Sequence, residues 1–233
     1  MPVNLYPATK SYLLGDLLSK VSRSFYLTLA VLPASVRTQV GLAYLFARAA
    51  DTITDTDLIK QSERIIHLKN FQKLFILDTI DWKIVRSIQT ALISHQALPA
   101  ERILLEKLED CFQVYLECEL SDRIRINDLM VTLTKGMEMD LELFQGSTAK
   151  NIIALKTQKD LSTYTYYVAG CVGQYWTNLM CANLSSLNQW DVEKMSAIGI
   201  NFGKGLQLTN IIKDIAKDLN RGRCYIPTSL LKT

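Results

Sequence analysis

Glycine and proline are scarce in this sequence, at 10 and 5 of 233 residues. That argues against an all-β architecture, in which turn residues punctuate many short strands. Histidine is scarcer still. Only His67 and His95 occur, and neither lies in a motif, so histidine-activated nucleophilic catalysis is disfavoured. Both read as surface or satisfied helix residues. The five cysteines, at 111, 118, 171, 181 and 224, form no CxxC pair and are odd in number. A zinc site is therefore disfavoured, and a reduced, cytoplasmic compartment fits best. No run reaches the roughly 18 apolar residues of a spanning helix. The N-terminal MPVNLYPATKSYLLGDLLSK lacks the charged and apolar regions of a signal peptide. Peripheral membrane contact stays compatible with all of this. One-sided charge is also missing. Lys and Arg number 26 against 23 Asp and Glu, for a net +3, too small and scattered to attract nucleic acid.

What the sequence has is helical periodicity. Hydrophobic residues make up 48% and charged residues 21%, a globular balance. A length of 233 suits one domain, 1–233. Apolar residues recur at three- and four-residue spacing. The pattern predicts helices near 10–20, 34–55, 60–78, 82–96, 100–120, 127–145, 161–183 and 189–219. Pro33 and Pro99 suit helix starts. Asp160 and Asn188 suit caps, and Gly222 with Pro227 suits a stop. No sustained period-two run predicts a strand. The expected class is all-α.

One polar stripe interrupts an apolar segment in VGLAYLFARAADTITD, residues 40–55. On a helix, Tyr44, Arg48, Asp51 and Asp55 fall within about 60° of one another. Asp51 and Asp55 stand one turn apart, so both carboxylates can reach one ion. Hard cations such as Mg2+ take carboxylate oxygens and commonly share them with substrate phosphates. The plain alternative is a solvated face with an Arg–Asp pair. The apolar surroundings weigh against it, because charge is costly to bury without partners.

The pattern returns in FGKGLQLTNIIKDIAKDLNRGRCYIP, residues 202–227. Gln207, Asn210, Asp214 and Asp218 fall within about 80°. Arg221 and Arg223 follow, and planar guanidiniums suit phosphate oxygens. Two such stripes facing each other would gather four negative charges, an arrangement that divalent metal relieves. Metal plus arginine makes a diphosphate site. A carbocation left by a departing diphosphate needs an apolar, aromatic cavity that excludes water.

At this point the sequence resembles the squalene/phytoene synthase family over nearly its whole length. Ser22-Arg23-Ser24-Phe25 is similar to the family's N-terminal substrate block, with Leu32-Pro33 and Arg37 following. YLFARAADTITD, residues 44–55, resembles the first aspartate-rich motif. YTYYVAGCVG, residues 164–173, resembles the central tyrosine helix. LQLTNIIKD with Asp218, then RGRCYIP, resembles the second aspartate-rich motif. The motifs occur in family order.

The resemblance implies an isoprenoid-synthase fold, a single helical bundle around a central cavity. It implies head-to-head condensation of two prenyl diphosphates through a cyclopropyl intermediate. Asp51, Asp55, Asp214 and Asp218 would hold Mg2+ against the diphosphates. Arg48, Gln207 and Asn210 would position substrate, with Arg23, Ser24, Phe25 and Tyr44 lining the site. Arg221 and Arg223 would meet the diphosphate. Tyr164 would be the catalytic tyrosine, with Tyr44 and Arg48 in supporting catalytic roles. Tyr167 is the second choice. Val168, Cys171 and Tyr175 would share the Tyr164 face and line the chain tunnel. Gly170 and Gly173 would allow close helix approach.

The DTxxD form of Asp51–Asp55, Tyr-Val-Ala-Gly at 167–170 and Asn-Ile-Ile at 210–212 lean toward a bacterial-type squalene synthase. That implies farnesyl diphosphate as substrate, presqualene diphosphate as intermediate and NADPH as reductant. Gly136-Met137-Glu138-Met139-Asp140 resembles phytoene synthases instead, which would use geranylgeranyl diphosphate or stop at dehydrosqualene. Its carboxylates could also simply face solvent. The family usually continues past the point where this chain ends, so the expected fold is truncated at its C-terminus. A monomer is expected, cytoplasmic and at most peripheral to the membrane for product release. A non-catalytic lipid-binding or assembly protein of the same fold is the alternative of another class. Retention of all four aspartates weighs against it.

Overall fold

The computed structural model describes residues 9–22, 25–56, 58–96 and 98–231. They divide into two compact units: residues 1–131 with 182–185, and residues 132–181 with 186–233. Nearly every described residue with regular structure is helical. No described helix is long and apolar enough to cross a membrane.

In the first unit the helix Ala34–Asp55 runs over the span its periodicity predicts. Pro33 stands at its N-cap, after the turn that follows Phe25–Ala30. Arg37 bonds back to the Leu32 carbonyl at 2.6 Å through Nη2, which ties that entry down. The inward face is apolar. Leu42, Leu45, Phe46, Ala49, Ala50 and Ile53 are fully buried. Phe46 sits in an aromatic cluster with Phe112 at 4.6 Å and Phe75 at 5.1 Å between ring centres. Burying such side chains contributes about 1.5–3 kcal/mol each, which holds this helix and fixes which face points outward.

The expected helix 100–120 breaks in two. Pro99–Glu106 and Leu108–Leu116 meet at Lys107, whose backbone leaves the helical region. The break buries Leu104, Leu105 and Leu108 together, so tertiary packing overrides a continuous period. The next helix, Leu120–Leu143, starts earlier than its pattern predicts.

In the second unit the central tyrosines lie on two helical segments joined by a π-turn. Gln158–Thr165 begins with a capping box: Thr157 accepts from the Asp160 backbone and Asp160 accepts from the Thr157 backbone. Asp160 is thus the third helical residue, one partner of a cap rather than the cap itself. Residues 166–170 form a π-turn, and Cys171–Asn183 continues. Helix Val192–Lys213 is capped by Asp191, which accepts from Lys194, and not by Asn188. It crosses the tyrosine helix very closely. A Cβ on Gly173 would lie 1.9 Å from the Gly199 carbonyl oxygen. The expectation that glycine at 173 serves close approach holds.

One feature has no sequence precedent. Ile153–Ala154 and Arg223–Cys224 form a two-residue parallel pair, Ile153 opposite Arg223. Gly222 makes it possible with φ +78°, and a Cβ there would lie 2.3 Å from the Thr148 backbone nitrogen. A two-residue strand is too short to show a period, so the sequence pattern cannot reveal it.

Candidate functional site

The first unit brings Arg48, Asp51 and Asp55 to the outer face of Ala34–Asp55. Arg48 Nη1 stands 3.7 Å from Asp51 Oδ2. Its Nη2 stands 3.2 Å from Glu101 Oε1, on the helix Pro99–Glu106. The sequence offers no signal for Glu101, because its partner lies 53 residues away on another helix. Tyr44 stacks on Phe25 with ring centres 5.5 Å apart. So Phe25, Tyr44, Arg48, Asp51 and Asp55 occupy neighbouring elements of one unit. Arg23 and Ser24 lie outside the described residues.

Asp51 is electrostatically loaded. Its carboxyl is pushed up to about 7, first by burial and then by the neighbouring Asp55 carboxylate. Glu101 adds to the rise, and Arg48 opposes it. The side chain keeps 45% of its surface accessible, so desolvation acts less than in an enclosed site and repulsion from Asp55 counts for more.

The second unit places Gln207 and Asn210 on Val192–Lys213. Asp214 sits at the junction with Ile215–Asn220, which carries Asp218. The helical bonding persists across the junction: Asp214 N–H donates to the Asn210 carbonyl at 2.8 Å, and Asp218 N–H to that of Asp214 at 3.0 Å. The one-turn spacing of the two carboxylates survives the break. Asp218 is raised, by burial and then by Asp214, with Arg223, Arg221 and Lys217 opposing. Arg221 is exposed.

Tyr164 is buried in a cluster with Phe144, Leu155, Ile211 and Tyr225, and Val168 packs against it. Its ring stacks on Tyr225 at 4.8 Å between centres. Ile211 ties this cluster to the helix of Gln207 and Asn210. Tyr167 faces elsewhere, into a cavity whose wall includes Lys135, Glu138, Glu142 and Asp160. Cys171 and Tyr175 are buried on the tyrosine helix.

Asp140 does not face solvent. Its side chain is 17% exposed and pairs with Arg223 Nη1 at 2.7 Å. Its other oxygen accepts from the Tyr225 hydroxyl. Arg223, expected at a diphosphate, is thus held by a carboxylate and lies over the Phe144 ring at 5.7 Å. Tyr225 and Asp140 are site-adjacent residues given no role by the sequence, although Asp140 ends the phytoene-like segment. Tyr225 does stand in the RGRCYIP run, so a signal existed.

Each aspartate pair offers two carboxylates that repel each other, as the raised Asp51 and Asp218 carboxyls record. Among the described residues, no three His, Cys, Asp or Glu side chains gather into a complete metal cage. Two carboxylates with the remaining positions left to water and phosphate is the ligand set that suits Mg2+. The residues present fit the ion.

A family model described as squalene/phytoene synthase matches residues 18–233. The chain belongs to the squalene/phytoene synthase family. Its relatives in that family come from both branches. It is 30% identical to a bifunctional lycopene cyclase/phytoene synthase of Pyrenophora tritici-repentis, covering 92% of this chain and 33% of that protein. It is 29% identical to a squalene synthase of Candida albicans, covering 92% of this chain and 45% of that protein. The chain thus spans less than half the length of these relatives. Among solved structures it is similar to the complex of TcSQS with the ligand BPH1237. That match has a TM-score of 0.66 and 24% identity, over 94% of this chain and 58% of that one. This likeness establishes the all-α isoprenoid-synthase fold.

Proposed function

We propose that this chain carries out head-to-head condensation of two prenyl diphosphates, with farnesyl diphosphate as substrate, presqualene diphosphate as intermediate and squalene as product. The observation that carries the reading is an exposed apolar stretch of helix Val192–Lys213 that ends at the second aspartate pair. Ile198, Phe202 and Leu206 are exposed at 59%, 67% and 53%. They follow one another at four-residue steps on Val192–Lys213, whose C-terminal end carries Asn210 and meets Asp214 and the helix of Asp218. An apolar stretch about 12 Å long thus precedes a polar, carboxylate-bearing helix end. That is the polarity of an apolar chain with a diphosphate head.

In this reading Asp51, Asp55, Asp214 and Asp218 hold Mg2+, which when bound stabilises the departing diphosphate as a Lewis acid. Arg48, Gln207 and Asn210 orient the substrate, with Arg221 and Arg223 at the diphosphate end. Phe25 and Tyr44 supply an aromatic wall, with Arg23 and Ser24 beside them in the sequence. Tyr164 presents its hydroxyl to the reacting carbons from an apolar cluster that excludes water. Val168 packs beside it. The reductive step to squalene would draw on NADPH, for which no side chain is assigned. We infer a single domain acting as a cytoplasmic monomer, with peripheral membrane contact for releasing an apolar product.

The second reading is phytoene or dehydrosqualene synthesis, from geranylgeranyl or farnesyl diphosphate without reduction. It is favoured by Asp140, which comes from the phytoene-like segment and joins the Tyr164 cluster. Product analysis separates them. The chain is incubated with Mg2+ and farnesyl or geranylgeranyl diphosphate, with and without NADPH. Squalene formed only with NADPH supports the first reading. Dehydrosqualene or phytoene moves the assignment to the second. A chain that binds neither Mg2+ nor a diphosphate analogue is a helical lipid-binding or assembly protein.

A further inference from the structure

The helix Ala34–Asp55 ends where the first aspartate pair stands. Asp55 is its last residue, and Asp51 lies one turn before it. The last four carbonyls of a helix have no donor inside it, and helix ends fray. A common remedy is a glycine just past the end, but residues 56–60 include none. Side chains close this end instead. The Thr56 hydroxyl donates to the Thr52 carbonyl at 2.6 Å, and the Thr54 hydroxyl donates to the Asp51 carbonyl at 2.9 Å. Arg64 reaches in from the helix Gln61–Lys73 and donates through Nη1 to the Thr54 carbonyl at 2.7 Å. Gln96 donates through Nε2 to the Thr56 hydroxyl at 2.7 Å. All of these residues belong to the first unit. The helix that carries Arg64 is itself anchored, because Leu68 and Phe71 are buried and the Phe71 ring packs on Phe46.

We propose that Arg64 is a positioning residue for the first aspartate pair: it closes the last turn of Ala34–Asp55 and so holds Asp51 and Asp55 at the one-turn spacing that a shared ion needs. This rests on the prenyl-diphosphate reading above. Two carboxylates on one helix face repel each other. The C-terminal end of a helix carries partial negative charge, which adds to that repulsion. Unwinding the last turn would relieve both, and it would carry Asp55 away from Asp51. The guanidinium at the Thr54 carbonyl resists this in two ways. It fills an orphan acceptor with a charge-assisted bond, and it sets positive charge at the negative helix end. This bond is to the backbone, so it takes no carboxylate oxygen from the ion. Mg2+ demands near-ideal octahedral geometry. Ligands that are already spaced for it bind with less reorganisation.

Arg64→Met keeps an apolar stem and removes the guanidinium, and Arg64→Lys restores a cation. Should Arg64→Met fail to fold, Arg64→Gln carries the same test, because it keeps a donor and drops the charge. Three measurements on the full chain decide. In amide hydrogen exchange without metal, Arg64→Met speeds exchange at Ile53, Thr54 and Asp55 about tenfold, while Leu42 to Phe46 keep the parent rate. In calorimetric titration with Mg2+ alone, Arg64→Met binds about tenfold more weakly. In turnover of farnesyl diphosphate, the half-saturating Mg2+ concentration rises by about the same factor. Arg64→Lys recovers the larger part of each change. A merely structural loss lowers the fraction of folded chain, and hence the amplitudes, and leaves the half-saturating Mg2+ concentration where it was. Parent-like Mg2+ affinity in Arg64→Met, where the parent binds Mg2+, overturns the positioning role alone. So does faster exchange spread evenly along the whole helix. A parent that neither binds Mg2+ nor converts a prenyl diphosphate overturns the prenyl-diphosphate reading and the positioning role together.

Discussion

Arg48 is held between two carboxylates, with Nη2 at 3.2 Å from Glu101 and Nη1 at 3.7 Å from Asp51. Glu101 therefore restrains the arginine and adds to the negative potential that raises Asp51. Replacing Glu101 by Gln removes that charge and lets Arg48 pair more closely with Asp51. The Asp51 carboxyl should then titrate below its present value of about 7. Carboxyl 13C NMR of the metal-free chain reads this directly, and an unmoved Asp51 would mean Glu101 is a bystander.

The raised Asp51 makes stability depend on pH in a known direction. Its folded value of about 7 exceeds the ordinary 3.8. Between those values the folded chain binds more proton at this site than the unfolded chain. Stability from this group is thus lost as pH rises through the window from 3.8 to about 7. Urea melts without divalent ions should show that decline, and Asp51→Asn should flatten it. Parallel profiles for both proteins would contradict the assignment. Mg2+ must displace the same proton, so its apparent affinity should tighten as pH rises through that range.

Loss of either aspartate pair should remove turnover without unfolding the chain. Asp51→Asn and Asp214→Asn each forfeit several kcal/mol of transition-state charge stabilisation, or about a hundredfold or more in kcat. The helical circular dichroism should be retained, since both residues stand off the apolar core. Near-normal activity in both variants would sink the metal assignment.

Tyr164→Phe isolates the hydroxyl from the packing. The ring and its stack on Tyr225 remain, so the cluster should hold. We expect kcat to fall about a hundredfold with KM within about threefold. Kinetics equal to the parent would take Tyr164 out of the chemistry.

Gly222→Ala tests the turn that delivers Arg223 and Tyr225. The backbone has φ +78°, and the added methyl would meet the Thr148 backbone. The substitution should cost about 2 kcal/mol or more in a denaturant melt. It should also disturb the Tyr164 cluster, read as a change in near-ultraviolet circular dichroism.

Much of the site can be read from spacing alone, because residues one helical turn apart share a face whatever the helix packs against. Asp51 with Asp55, and Asp214 with Asp218, needed no structure. The span Ala34–Asp55 was equally legible, since its apolar face repeats without interruption and Pro33 marks its entry. The caps were harder. Thr157 outranks Asp160, and Asp191 outranks Asn188, because several capping residues crowd each helix start and only backbone geometry selects among them.

The sequence by itself determined the helical class and the two carboxylate pairs, which follow from local periodicity and residue chemistry, while the motif order and the close-approach role of Gly173 came from the family resemblance. Tertiary structure decided the partners. Arg48 with Glu101, and Asp140 with Tyr225 and Arg223, are pairs separated by 53, 85 and 83 residues. A charge in a sequence does not reveal which distant group will neutralise it. That depends on where packing of the apolar faces leaves it.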